Sequence, residues 1–204
     1  GFQGGTYSLP SNNTCVCNTG TYHGNADDQA GRKGEGVANW PGYNHYAYRG
    51  KLASGGGGGN NHNTGGGGGS NYGAGGNGGW TTCGSRWWCS GSNVANSGWG
   101  YGGVSLSSYL NPSAMRAFLG GGGGGGHQNN DQGGQGGNGG GIVILRAATI
   151  EGNGFQIIAV GDSGYRIGAS GCPTPTIAGN DGAGGGGGGG SVLLFCGTYI
   201  GTLT

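Results

Sequence analysis

The amino-acid sequence predicts a mostly irregular, all-β fold: a bundle of polyglycine-II helices joined to a short parallel, β-solenoid-like repeat and stapled by disulfides. Three observations carry this expectation. Glycine supplies 62 of the 204 residues, with unbroken runs at 55–59, 65–69, 120–126 and 184–190. An apolar stretch late in the chain recurs at a fixed offset of 49 residues. Six cysteines accompany a chain with little material for an ordinary core.

Ile, Leu, Val and Phe together make 28 of the 204 residues, below the roughly 20% under which disorder becomes the default reading. Disorder also calls for high net charge, and this chain is formally +1. Its aromatic content argues further for order. All five Trp lie between Trp40 and Trp99, with Tyr43, Tyr46, Tyr48, Tyr72 and Tyr101 in or next to the same stretch. Flexible Gly/Ser linkers carry no such load.

The glycine runs come first. An α-helix is excluded by propensity, at about 1 kcal/mol per Gly relative to Ala. The remaining ordered state is the left-handed polyglycine-II helix, with three residues per turn and roughly 3.1 Å rise, so that seven residues extend on the order of 20 Å. Such a helix makes no internal hydrogen bonds, and its N–H and C=O groups point sideways. Without Cβ atoms, neighbouring helices come close enough to satisfy one another's backbone. Ordering glycine is entropically costly, so covalent or aromatic clamps are expected at the ends of the runs.

Three regions follow: a mixed polar and aromatic segment over 1–54, a glycine-run region with aromatic loops over 55–141, and a strand-rich repeat over 142–204, all within one continuous unit. Residues 104–119 lack glycine, and Pro112 interrupts their helical spacing, which predicts a turn or short helix. From Ile142 the pattern changes. Residues 142–145 (IVIL) read as a buried strand, and 149–150, 155–160 and 191–195 read similarly. GGGIVILRAATIEG (139–152) aligns with GGGSVLLFCGTYIG (188–201), placing Val143 on Val192, Leu145 on Leu194 and Thr149 on Thr198. Two copies of one unit imply stacked coils of a parallel solenoid. Two are fewer than a free-standing solenoid needs, so the glycine region, further sequence or another chain is expected to cover the ends.

Cys83 and Cys89 enclose a five-residue loop and form the most natural disulfide; Cys15, Cys17, Cys172 and Cys196 are the other candidates. The even count points to an oxidising, extracellular setting. No signal peptide pattern is visible, and Gly1 reads as a mature or trimmed start. The sequon Asn12-Asn13-Thr14 permits glycosylation.

Several function classes are disfavoured. Eight Lys and Arg against seven Asp and Glu give no basic field for nucleic acid, and no 18-residue apolar run is present to span a membrane. Matches to GxGxxG arise by chance in so glycine-rich a chain, and GxxxxGK[ST] is absent. Gly161-Asp162-Ser163-Gly164 looks like a serine-nucleophile motif but reads as a turn between strands, since His23, His45, His62 and His127 have no triad context. Cys15 and Cys17 with His23 fall short of a four-ligand zinc layout. Asp27, Asp28 and Asp131 could hold calcium, but the repeat calcium pattern is not matched in order. No catalytic residue, resident metal or cofactor is expected, and the chain is not expected to be an enzyme.

The aromatic set is the informative functional feature. The candidate binding surface comprises Trp40, Tyr43, Tyr46, Tyr48, Arg86, Trp87, Trp88, Trp99 and Tyr101. These rings either cover the ends of the glycine bundle or face a ligand. Amphipathic rings give large contact area at low entropic cost. Pinned by Cys83 and Cys89, the loop Arg86-Trp87-Trp88 would be a preorganised fingertip.

The runs Leu119–Gly126, Gly136–Leu145 and Gly184–Leu194 resemble glycine-rich extracellular surface proteins, in which polyglycine is followed by GGIVI-like and SVLL-like strands. More distantly, glycine runs parted by aromatic loops are similar to the polyglycine-II tip adhesins of T-even-like phage tail fibres and to the glycine-rich domain of anaplastic lymphoma kinase receptors. The phage resemblance implies loops that bind a host receptor. The expectation is a secreted, non-catalytic adhesin that binds a glycan or a surface protein. The alternatives are a subunit or repeat of an extracellular filament or matrix, with strand edges at Val143–Leu145 and Val192–Leu194 stacking between chains, and an ice-binding protein.

Overall fold

Glycine buries no side chain, so the accounting in a glycine run concerns its backbone N–H and C=O groups. In the computed structural model of the chain, which describes residues 1–5, 31–38, 49–60, 63–79, 98–109, 116–127, 133–165 and 181–202, neighbouring runs meet those groups.

The segment 120–127 lies in the middle and is buried throughout. Its N–H groups donate in rotation to three neighbours. Gly120, Gly123 and Gly126 donate to the carbonyls of Gly140, Gly137 and Gly134. Gly121, Gly124 and His127 donate to Ser70, Gly67 and Thr64, while Gly122 and Gly125 donate to Glu35 and Arg32. Its carbonyls accept in the same rotation. Gly120 and Gly123 accept from Phe2 and Gly5, and Gly122 and Gly125 accept from Gly56 and Gly59. Gly121, Gly124 and His127 accept from Gly188, Gly185 and Gly182. The donor–acceptor distances run from 2.7 to 3.1 Å. Each neighbour is met every third residue, a period distinct from the 3.6 of an α-helix and the 2 of a strand.

Further segments continue this network outward. Residues 74–79 and 98–104 bond to 65–68, through Gly65 and Gly68 donating to Gly79 and Gly76, and Gly100 and Gly103 donating to Gly65 and Gly68. Residues 159–165 lie across 135–138 and 184–190, through Asp162 donating to Asn138 and Gly187 donating to Asp162.

Close approach requires glycine here. A Cβ added at Gly124 would lie 2.0 Å from the Gly57 carbonyl oxygen, and one at Gly121 would lie 1.9 Å from that of Ser54. The glycine hydrogen that occupies this direction points at a carbonyl, the arrangement of a weak Cα–H···O contact. Positive φ is not the reason for these residues: the described glycines with φ in the left-handed region are Gly98, Gly154 and Gly201, at turns or segment ends.

Side chains contribute little to the interior. Among the described residues, only Leu106 and Ile150 are buried large hydrophobics. A small polar knot closes one end of the network. The Asn71 amide donates to the carbonyls of Phe118 and Gly189 and to Ser191 Oγ, and the Ser191 hydroxyl donates to the Phe118 carbonyl at 2.8 Å. At the margin, the Lys33 ammonium donates to the Gly50 carbonyl at 2.6 Å, and burial lowers its pKa below the ordinary lysine value.

Two strands extend this network. β1 (Ile142–Glu151) and β2 (Ser191–Ile200) pair in parallel, Val143 with Val192, Leu145 with Leu194 and Thr149 with Thr198. The register is the same 49-residue offset at which the sequence repeats. The glycine segments feeding the strands also lie side by side, with Gly134, Gly137 and Gly140 donating to Gly182, Gly185 and Gly188. The repeat is therefore one unit, a glycine segment followed by a strand, laid twice in parallel.

The strand pair arcs. Ala159 lies at its start, accepting from Gly190, and Phe155 lies at its far end, donating to Gly152. The chain from Phe155 to Ala159 reaches at most about 15 Å, whereas ten straight strand residues would span about 33 Å.

Two expectations are corrected. Residues 142–145 are a strand but not a buried one: Ile144 is 64% exposed, and Ile142 and Leu145 are exposed as well. The glycine interior has no room for a Cβ, so residues with side chains lie beyond its end. Residues 155–160 form no strand, and Phe155 is 73% exposed. The Ala159 carbonyl is instead drawn into bonding the glycine segment through Gly190. In 104–119, the Tyr109 N–H donates to the Leu106 carbonyl in a turn, and 110–115 lie outside the described residues.

Candidate functional site

Segment 98–104 runs along the margin of the glycine network. Its period of three sorts its residues. Added Cβ atoms at Gly100 and Gly103 would strike backbone carbonyls at 1.8 and 2.2 Å, so those positions face inward. Tyr101 and Val104, three residues apart, face outward and are exposed, Tyr101 at 39%. The backbone of Tyr101 is fixed on both sides, with its N–H donating to the Arg49 carbonyl and its C=O accepting from Gly57, both at 2.8 Å.

Arg49 joins the two described rings of the candidate surface. Its guanidinium carbon lies 4.4 Å from the Tyr101 ring centroid and 5.2 Å from that of Trp99. A cation over an aromatic face is attracted by the ring quadrupole. Trp99 is half-buried, and Tyr101 keeps part of its ring in solvent. The result is a held cationic and aromatic corner, fixed from below by backbone bonds.

The exposed aromatic margin extends past the predicted set. Tyr72 is 70% exposed and Tyr109 is 55% exposed. They are tied to one another through 105–109: Ser105 Oγ donates to the Tyr72 carbonyl, and Leu106 donates to the carbonyl of Asn71. Beside them, the Asn77 side-chain oxygen accepts from the Gly102 N–H at 3.0 Å. Tyr109 was missed because it lies beyond the aromatic-rich stretch. Tyr72 carries a local signal, a ring directly after the glycine run ends at Ser70-Asn71.

Of the predicted surface, the structure brings Trp99 and Tyr101 together. Trp40, Tyr43, Tyr46, Tyr48, Arg86, Trp87 and Trp88 lie outside the described residues, as do Cys15, Cys17, Cys83, Cys89 and Cys172 and the calcium candidates Asp27, Asp28 and Asp131. Cys196, a disulfide candidate, carries a free and exposed thiol on β2. Among the described residues, no group of three or more His, Cys, Asp or Glu could hold a metal ion, and no helix is long and apolar enough to cross a membrane.

No family model, curated protein or solved structure matches this chain.

Proposed function

We propose that this chain is a secreted, non-catalytic recognition module, in which a polyglycine-II bundle serves as a rigid base and a margin of aromatic side chains binds a glycan or a surface protein. The observation that carries the reading is the Arg49 guanidinium lying over the rings of both Trp99 and Tyr101. Its aromatic faces are anchored on the glycine network before any ligand arrives, so little conformational freedom remains to be lost on binding. Tyr rings offer an apolar face for a sugar ring or a peptide side chain and a hydroxyl for a hydrogen bond. Tyr72, Tyr101 and Tyr109 are all exposed. The secreted setting rests on the composition and on the cysteines other than Cys196, whose thiol is free.

The test compares the full chain with Tyr101→Ala and Tyr72→Ala on an immobilised glycan panel and on surface-protein extracts. Tyr72→Ala, at a 70% exposed residue, should melt as the parent does, and Tyr101→Ala, which gives up the ring contact with Arg49, should cost no more than about 1 kcal/mol. Each should weaken binding to the captured target by about tenfold or more, the range of a truncated aromatic anchor. Unchanged binding in both variants would overturn the reading, as would a parent chain that captures nothing from either source.

The exposed strand pair favours a second reading, a structural subunit of an extracellular assembly. It rests on different residues and is separable by experiment.

A further inference from the structure

Segment 120–127 shows how a glycine segment is held when it is surrounded. Its bonds alternate around it: 133–140, 64–70 and 32–35 accept from its N–H groups, while 1–5, 55–59 and 182–190 donate to its carbonyls. Segment 65–70 shows the same rotation with one side left over. Its N–H groups donate in turn to Gly79 and Gly76, to Ala183 and Gly186, and to Gly57 and Ser54. The Gly65 and Gly68 carbonyls accept from Gly100 and Gly103, and those of Gly67 and Ser70 accept from Gly124 and Gly121. The carbonyls of Gly66 and Gly69 accept from no described N–H. By the rotation they face the sixth side, between 74–79 and 182–190. The two walls of that side match them. The amides of Gly76 and Gly79 on one, and of Gly186 and Gly189 on the other, donate to no described acceptor, and each pair keeps the period of three. A Cβ added at Gly68 falls between the walls, 3.4 Å from the Gly76 nitrogen and 3.5 Å from the Gly186 carbonyl oxygen. Gly76, Gly79 and Gly189 are exposed, Gly69 is half-buried and Gly66 is buried at the floor, so among the described residues this side is an open groove.

We infer that the groove binds one further extended, glycine-rich segment, supplied by another protein, in the polyglycine-II conformation of the segments around it. Two rows of N–H and one row of C=O call for a backbone that offers both carbonyls and N–H groups every third residue, as 120–127 does. The buried Gly66 carbonyl is the kind of group that folded proteins pair. A β-strand, with its period of two, would meet these rows out of phase. A proline-rich segment has the right conformation but no N–H for Gly66 and Gly69. No charged side chain lies on 65–69, 75–79 or 183–189, so recognition rests on the backbone. Side chains of the bound segment fit only away from the walls. The marginal segments of this chain show the pattern that allows this: AGGNGG over 74–79 and GGQGGNGG over 133–140, each with a side chain at every third place. The partner therefore carries a Gly-Gly-X repeat. It belongs to another protein because the four unbroken glycine runs of this chain already lie within the network.

This inference does not rest on the recognition reading and uses none of its residues. Titration of the full chain with the acetylated, amidated octapeptide GGQGGNGG, followed by amide NMR, tests it. Saturable shifts are expected at the Gly76, Gly79, Gly186 and Gly189 amides. Gly68→Ala supplies the second arm. Its methyl group makes ordinary contacts at 3.4 Å and beyond, and Gly68 is not among the left-handed glycines, so the variant should melt as the parent does. The same methyl group stands in the groove and should weaken peptide binding by about tenfold or more. The peptide AAQAANAA, which cannot approach as closely, and octaproline should not bind. A parent that shows no saturable shift at these amides, a Gly68→Ala variant that binds like the parent, or equal binding of the alanine or proline peptide would each overturn it.

Discussion

Gly124 and Gly76 are the same residue in chemically similar runs, yet the structure assigns them opposite tolerances. A Cβ on Gly124 would lie 2.0 Å from the Gly57 carbonyl oxygen, backbone against backbone, with no flexible group to yield. A Cβ on Gly76 meets nothing within 4 Å. Gly124→Ala is therefore expected to cost about 3 kcal/mol, the upper part of the usual range for overpacking. Gly76→Ala should be neutral or stabilise by about 0.4–1 kcal/mol, because alanine has fewer unfolded conformations to lose and Gly76 is not among the left-handed glycines. Denaturant melts of the two variants check both signs. Equal effects would mean that glycine serves here for chain freedom and not for space.

At the scale of elements, the phase of three decides where side chains are allowed. The central segment is glycine without interruption from 120 to 126 and has bonded neighbours on six sides. Segment 133–140 reads GGQGGNGG, with Gln135 and Asn138 at every third place. Asn138 bonds Gly4 and Asp162 at the margin. Tyr101 with Val104, and Ala74 with Asn77, follow the same spacing. This much was legible in the sequence but needed a period of three to be read. The 49-residue repeat was legible outright, since Val143 and Val192 align by inspection and pair in the structure. The exposure of Ile144 was not legible, because an apolar run bounded by glycine looks the same whether it is buried or left for a partner. The contact of Arg49 with Tyr101 was also hidden, because a turn through Ala53 and Ser54 and the glycine segment 55–59 intervene. The junction between glycine and strand depends on Asn71. Its amide donates to Phe118, Gly189 and Ser191, so Asn71→Ala removes hydrogen bonds to part-buried acceptors and should cost about 0.5–1.5 kcal/mol. The loss should appear as a lower denaturation midpoint with an unchanged m-value.

At the scale of the molecule, the described residues hold no side-chain core beyond Leu106 and Ile150, so their stability has to come from backbone groups that satisfy one another across many segments. Leu106 and Ile150 alone cannot replace a hydrophobic interior. Such a network is cooperative by construction. Gly121 donates to Ser70 and accepts from Gly188, so releasing segment 120–127 breaks bonds to six others at once. The aromatic margin and the arced sheet are both mounted on this network, and their geometry is only as firm as the network itself.

Amide hydrogen exchange, followed residue by residue by NMR on the full chain, tests that central claim most directly. Gly121, Gly123, Gly124 and Gly126 should exchange slowly and together, with a common free energy equal to that of global unfolding. Gly76 and Gly79, whose amides have no bonded acceptor among the described residues, should exchange fast. Exchange of Gly121–Gly126 at the rate of an unstructured peptide would contradict the account.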